Sequence, residues 1–356
     1  MARLVGGKVS PVPGKVAAYP PMQRLRRIIS RTDAWSAEGN AMKEPCDLIL
    51  SQGAVLPIAP PRTLIFPGSV AVRGGSIVGV GASSEIDRRF SAQRVLDCGG
   101  QVILPGLVNV HAQAGMNLIR AYAVDKPFHR VSSIAKRYVE VIDSWSTFVA
   151  AQLTCIEFVR GGITTFADVF HYADATAEAV ARVGIRATVA PLVGDDLAQI
   201  QNDLSAIGQY AKCGISSAIG VSIRGRDLCG SLEGVVAFAR AAGVPIHFTD
   251  FDHSQRQAYG DPFAQLVGGG FAPHGDVLAN PASLDVEDLN RLRATGLGVA
   301  HIPSNAQMGE QAAVAGGCIR QRVPVGLGTG SAARGGDLPL NCHPLAIRAS
   351  AVFVTP

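Results

Sequence analysis

Histidines, cysteines and acids are the side chains here that could bind a metal, move a proton or attack a substrate, and few of them are grouped. The seven cysteines, at 46, 98, 155, 213, 229, 318 and 342, are scattered and odd in number. No CxxC pair occurs, so neither a disulfide framework nor a cysteine zinc knuckle is indicated. Of the eight histidines, His129, His171, His253, His274 and His343 have no motif around them and read as surface or loop residues. His111, in Val110-His111-Ala112-Gln113, and His247, in Ile246-His247-Phe248-Thr249-Asp250, lie at the ends of apolar runs. With Asp250 they could serve as acid–base groups without any metal; equally, the two imidazoles could simply pack at strand ends. Asp250 itself has two readings, a general base with a raised pKa at a strand end or a solvated loop acid beside Asp252. Gly326-Leu327-Gly328-Thr329-Gly330 offers a GxGxG loop, but its third spacing departs from the dinucleotide fingerprint. Gly268-Gly269-Gly270 reads as a flexible connection rather than a phosphate cradle.

The elements that must position these residues follow from the apolar runs. Short strands are expected at Asp47–Leu50, Val55–Ile58, Ser69–Arg73, Ser76–Val80, Arg94–Leu96 and Gln101–Ile103, broken by Gly and Pro. From Pro105 the rhythm becomes strand, loop, helix. Strands are expected at Gly106–Val110, Thr164–Val169, Ala187–Leu192, Ser217–Val221, Pro245–Phe248, Asp276–Ala279, Gly298–Ile302 and Val323–Gly328. Between them the pattern predicts helices at Ser144–Arg160, Ala173–Val183, Leu197–Lys212, Leu232–Ala242, Val286–Ala294 and Glu310–Arg322, with a weaker one at Pro262–Val267. Eight strands alternating with helices are βαβ units of a parallel sheet, and eight such units suggest a closed (β/α)8 barrel with its chemistry at the C-terminal strand ends. A doubly wound open sheet is the alternative.

Composition narrows the function classes. Apolar residues make up 47% of the 356 and charged residues only 17%, which is ample for a large core. The net charge of +4, with no basic stripe interleaved with aromatics, gives no case for nucleic acid. No apolar run approaches the roughly 18 residues a membrane-spanning helix needs. Scattered thiols and the absence of a spanning segment point to the cytoplasm. Residues 1–41 stand apart: Met1 to Arg31 holds seven Lys/Arg, no acid and four prolines. They read as a disordered or misassigned leader, with Met42 as an alternative start.

The run Leu104-Pro105-Gly106-Leu107-Val108-Asn109-Val110-His111-Ala112-Gln113 resembles the cytosine-deaminase and chlorohydrolase branch of the amidohydrolase superfamily. The resemblance continues through Gly161-Gly162-Ile163-Thr164-Thr165-Phe166-Ala167-Asp168, Gly184-Ile185-Arg186, Val299-Ala300-His301-Ile302-Pro303-Ser304-Asn305 and Gly326-Leu327-Gly328-Thr329. It implies a barrel over 105–356 with a small β unit over 42–104, half of a composite sandwich that relatives finish after the barrel. It also implies a zinc or iron site formed by an HxH pair after strand one, a His after strand five, a His after strand six and an Asp after strand eight. Such a set leaves an open position where bound water becomes a nucleophile near neutral pH.

Set against that pattern, His111 is the first His of the pair and Gln113 replaces the second. His247 matches the strand-five ligand, with Asp250 in place of the proton-shuttling Glu; an equally ungapped reading puts Thr249 at the ligand position. Asn280 replaces the strand-six His, Ser283 a substrate-facing His, and Gly330 the strand-eight Asp. Arg224 lies where the branch often carries a substrate-binding His. Two imidazoles without a carboxylate do not make a closed four-ligand site, so no tightly bound cofactor is expected. Three function classes follow: a hydrolase of non-peptide C–N bonds acting on a small heterocycle or amine, impaired by its missing ligands; a metal-free pseudoenzyme or small-molecule binding protein; and a metal-independent acid–base enzyme. The last barrel helix is expected to be abbreviated within Pro344–Val354, leaving apolar surface that invites a homo-oligomer.

Overall fold

The structure is a computed structural model that describes residues 42–58, 60, 63–120, 122, 128–192, 197–222, 232–249, 275–279, 281, 284–303 and 312–331. The leader over 1–41, the helices expected at Pro262–Val267 and Pro344–Val354, and Arg224, Asp250, Asn280 and Ser283 lie outside the described residues.

A mixed sheet comes first, with β1 (Glu44–Val55), β2 (Ile65–Arg73), β3 (Ser76–Ala82), β4 (Phe90–Asp97) and β5 (Val102–Ile103). Its order is β3-β2-β1-β4, with β5 on β1; β2 runs antiparallel to both neighbours, while β4 and β5 run parallel to β1. Helix α1 (Ser83–Arg89) buries Ile86 against Cys46, Ile49, Ala71 and Phe90. Two expectations change here. Val55–Ile58 is not a strand of its own, because β1 runs on to Val55. Gln52 adopts φ 63 and the register shifts on both sides of Gly53, so a bulge absorbs the break without ending the strand. Helix α1 was not expected, since seven residues are too few to show a helical period. The outer strands β3 and β4 each pair on one side only among the described residues, and they carry exposed Ile77 and Val95.

The remaining strands form two parallel arcs. One has the order β15-β6-β7-β8-β9: β6 (Leu107–Gln113), β7 (Ile163–Phe170), β8 (Arg186–Pro191), β9 (Ile215–Ser217) and β15 (Gly330–Ser331). The other has the order β10-β11-β12-β13-β14: β10 (Ile219–Ser222), β11 (Ile246–Thr249), β12 (Val277–Ala279), β13 (Gly298–His301) and β14 (Val325–Leu327). Only Ala218 separates β9 from β10, and only Gly328-Thr329 separates β14 from β15. The arcs therefore meet at two broken strands, and the eight strand positions follow one another in the cyclic order of a (β/α)8 barrel. Each expected barrel strand has its counterpart, and the open-sheet alternative is set aside.

Helices α3 (Ser144–Arg160), α4 (Ala173–Val183) and α6 (Leu232–Ala242) start and stop at the expected residues. The side chain of Asp143 accepts from Ser146 N at 2.7 Å and starts α3; Gly184, at φ 81, ends α4. α5 is shorter than expected (Leu197–Gly208), its last residues forming a separate 3-10 turn at Ala211–Cys213. α7 (Val286–Thr295) opens with a reciprocal Asp285–Asp288 capping box, and α8 covers Ala312–Arg320. Helix α2 (Phe128–Val141) was not foreseen. Two apolar layers pack the helices on the strands. One joins Phe148, Ala151, Cys155, Phe158, Phe166 and Val180 across α3, α4 and β7; the other joins Val235, Ile246, Phe248, Leu278, Leu292 and Val325. No helix among the described residues is long and apolar enough to cross a membrane.

Candidate functional site

Strand alternation decides which residues face the barrel interior. In β11, Ile246 and Phe248 belong to the outer apolar layer, so His247 and Thr249 turn inward. In β6, Ala112 packs in the outer layer, which leaves His111 and Gln113 on the inner side. His111 Nδ1 and His247 Nε2 consequently meet across the barrel at 3.0 Å, both rings buried and tilted by 44°. It is thus His247 that contacts His111. Burial, reinforced by the neighbouring His111 ring, holds the His247 pKa well below the usual imidazole range. At this distance one ring donates an N–H to the unprotonated nitrogen of the other.

The surroundings fix both rings. Asn109 donates from Nδ2 to Thr329 Oγ1 at 2.9 Å, and its Oδ1 accepts from Thr329 N at 3.1 Å and from His111 N at 3.3 Å. This lashes the first barrel strand to the eighth beside His111. Gly328 makes that approach possible: a Cβ there would stand 2.8 Å from His111 O and 2.9 Å from His111 Cβ. On the other side, Asp276 accepts from Ile246 N at 2.8 Å and pairs with Arg240 at 2.6 Å, setting the start of β11. Replacing Asn109 by leucine should remove three buried hydrogen bonds at the seam, lowering stability by roughly 2–4 kcal/mol in urea unfolding. A loss below about 0.5 kcal/mol would show that these bonds do not hold the seam.

Zinc or iron needs lone pairs from three or four donors around one point. His111 and His247 offer two, and their mutual hydrogen bond ties one of those up. Among the described residues no three His, Cys, Asp or Glu side chains converge. Gly330 pairs with Ala112 at the end of the eighth strand and has no side chain to contribute. Its φ of 63 lies in the left-handed region, and a Cβ would meet Ile302 at 3.2 Å. The described residues do not fit a closed metal centre. His301, at the end of β13, is half-buried and its pKa is lowered by burial.

Asp168 is a site residue that the sequence pattern did not single out. It lies on β7 with Phe166, facing the layer under α3, and is fully buried. Its Oδ1 accepts from Ala114 N at 2.6 Å, pinning the turn that follows Gln113, while Oδ2 has no hydrogen-bond partner among the described residues. Burial pushes its pKa up to about 7, and the bond from Ala114 offsets only part of that. Thr154 supports the same turn by donating to Ala114 O, and accepts from Asn117 Nδ2. An acid inside the apolar run Ile163–Phe170 was the available signal. Beyond the ends of β7 and β8 opens a cleft of about 410 Å³, bordered by Phe170, His171, Asp174, Leu192 and Asp203. Burial lowers the pKa of His171; it raises that of Asp203, with a smaller contribution from Asp174. Neither His111 nor His247 lines this cleft.

Comparison with known proteins gives a consistent picture. The profile of the Amidohydrolase family matches residues 102–349. A 5-methylthioadenosine/S-adenosylhomocysteine deaminase of Syntrophobacter fumaroxidans is 30% identical over 313 residues, 83% of this chain and 71% of the relative. A 5'-deoxyadenosine deaminase of Methanosarcina mazei is 29% identical over 83% of this chain and 71% of its own length. Among solved structures, a zinc-bound adenosine deaminase from Xanthomonas campestris superimposes with a TM-score of 0.73 at 25% identity, covering 84% of this chain and 72% of that one. A zinc-complexed atrazine chlorohydrolase from Arthrobacter aurescens does so with a TM-score of 0.71 at 22% identity, covering 81% and 73%.

Proposed function

Because the chain belongs to the amidohydrolase family, we propose that it is a deaminase-type barrel, directed at small adenosine-like nucleosides, whose metal centre is reduced to two imidazoles and whose turnover is impaired. The nucleoside class rests on the relatives, which are named as methylthioadenosine, S-adenosylhomocysteine and deoxyadenosine deaminases. The impairment rests on one observation: His111 and His247 face each other at 3.0 Å, while the eighth strand brings Gly330, with no carboxylate, to their end of the barrel. Gln113 and Asn280 in the other two ligand positions are neutral amides, far weaker donors than imidazole. His247, kept neutral by burial, can accept or donate one proton to His111. That contact orients both rings but provides no carboxylate to activate water. Arg224 and Ser283 are proposed to contact substrate, and Asp250 to act as the acid beside it.

The test follows adenine absorbance with 5'-methylthioadenosine and S-adenosylhomocysteine, with and without a chelator. The expected result is binding, seen by calorimetry, with no turnover above buffer in either condition. Efficient turnover abolished by the chelator would restore an intact metal hydrolase. Turnover that survives the chelator and is lost in His247→Ala would favour metal-independent acid–base chemistry.

A further inference from the structure

The cleft beyond the ends of β7 and β8 is not used by the histidine pair of the barrel centre. Its volume of about 410 Å³ lies in the range of small-molecule sites. Its apolar lining comes from Val139, Phe170, Pro191 and Leu192, and its polar lining includes His171, Asp174, Gln199 and Asp203. Tyr172, at φ 53, turns the chain from β7 directly into α4 and so sets His171 and Asp174 on the same cleft. Asp174 stands in the first turn of α4, where the helix dipole favours a carboxylate. Asp203 comes from α5, and Gln199 Nε2 donates to its Oδ1 at 2.8 Å. Among the described residues Asp174 has no ion-pair or hydrogen-bond partner, and neither ring nitrogen of His171 is hydrogen-bonded. The His171 ring meets that of Phe170 at 80°, with centroids 5.5 Å apart.

The charge of this lining is one-sided. Two carboxylates share the cleft, and among the described residues no lysine or arginine lines it. Burial raises the Asp203 pKa; the bond from Gln199 offsets part of the rise, and Asp174 adds to it. Burial lowers the pKa of His171, so near neutral pH the imidazole adds no positive charge. Two acids on one partly dry space repel each other, and a cation placed with them relieves that repulsion. An anion would be rejected, and a neutral ligand would leave the repulsion in place. We propose that the cleft binds a small organic cation, a primary ammonium on an apolar body, at a site separate from the His111–His247 centre. The ammonium is held by Asp174 and Asp203, and the neutral ring of His171 accepts one of its three N–H groups. The apolar body packs on Phe170, Pro191 and Leu192. A metal ion fits less well, since among the described residues no three His, Cys, Asp or Glu side chains converge.

Benzylamine is the probe, with benzyl alcohol and benzoate as neutral and anionic molecules of similar shape. Titration calorimetry of the full chain near neutral pH should show one benzylamine per chain, with a Kd on the order of 1 mM or below, and no binding of the other two. Asp174→Asn and Asp203→Asn should each weaken benzylamine binding about tenfold or more, with unchanged circular dichroism spectra. Asp174 is exposed and Asp203 half-buried, so neither change disturbs the core. Glu178→Gln, at an acid of α4 outside the cleft, should leave the affinity as it is. An excess of 5'-methylthioadenosine should not displace the amine. No binding at about 10 mM benzylamine would overturn the proposal, as would benzyl alcohol binding equally well. So would benzylamine affinity unchanged in both aspartate variants, or its loss in Glu178→Gln. Displacement by 5'-methylthioadenosine would put the amine in the barrel and overturn it too. If one aspartate variant fails to fold, the other and the benzyl alcohol comparison decide.

Discussion

Asp168→Asn should stabilise the protein at pH 8 by up to about 4 kcal/mol while leaving it nearly unchanged at pH 4. The native carboxyl is buried under α3 and its pKa is raised to about 7, against 3.8 in an unfolded chain. Between those two values the folded state holds more protons than the unfolded one. Stability contributed by this group is therefore full below about pH 4 and falls as pH rises, until it is lost near pH 7. A carboxyl that titrates near 7 in the folded chain and near 3.8 in the unfolded one corresponds to roughly 4 kcal/mol between pH 4 and pH 8. Asparagine reproduces the neutral acid: its Oδ1 still accepts from Ala114 N, and no charge ever forms in the apolar layer. Asp168→Ala, by contrast, should lose about 1–3 kcal/mol at pH 4, because the Ala114 N–H is left without its acceptor. Urea unfolding of the natural chain and the Asp168→Asn variant across pH 4–8 measures both slopes, and their difference removes every other titrating group. An Asp168→Asn protein less stable than the natural one at pH 8 would mean that the charged form is the one the fold prefers.

The second large effect concerns metal affinity. Gln113→His, Asn280→His and Gly330→Asp together should raise zinc affinity at least about a thousandfold, equivalent to roughly 4 kcal/mol. The variant regains three of the five donors that the family pattern has, including the carboxylate that balances the ion's charge. The structure adds a cost that the sequence did not show. Gly330 has φ 63, where a side chain is strained by roughly 1–2 kcal/mol, although Asp tolerates it better than most residues. Its Cβ would also press on Ile302. The metal-free variant should therefore melt below the natural chain, and zinc should more than recover the difference. Omitting Gly330→Asp should return the melting temperature and lose most of the gain in affinity. Titration calorimetry with zinc and thermal unfolding with and without the ion check both; equal zinc affinity in natural and variant chains would refute the ligand assignment.

Much of this architecture was legible because long elements carry strong periodic signals and clear ends. The Asp143 cap and the Gly161-Gly162 pair bracket α3, and Gly184 closes α4, so their boundaries could be read from residue types alone. The eight barrel strands stood out as apolar runs between helices. Helix α1 is too short for its period to register, and β1 continues past its bulge because of a backbone conformation at Gln52 that composition does not encode. His111 and His247 were visible as candidates, but their contact joins residues 136 positions apart and depends on closure of the strand order. Asp168 was hidden for the same reason: its importance comes from a layer built by α3 and from a turn 54 residues earlier. The left-handed backbone of Gly330 is a property of the strand end, not of the residue's name.

Elemental analysis of the natural chain after mild dialysis tests the proposed reduction of the metal centre most directly. Two buried imidazoles hydrogen-bonded to each other, with neutral amides and a glycine in the remaining positions, should retain far less than one zinc or iron per chain. One tightly held metal per chain, lost when His111 and His247 are both replaced by alanine, would contradict this account and establish an intact metal-dependent site.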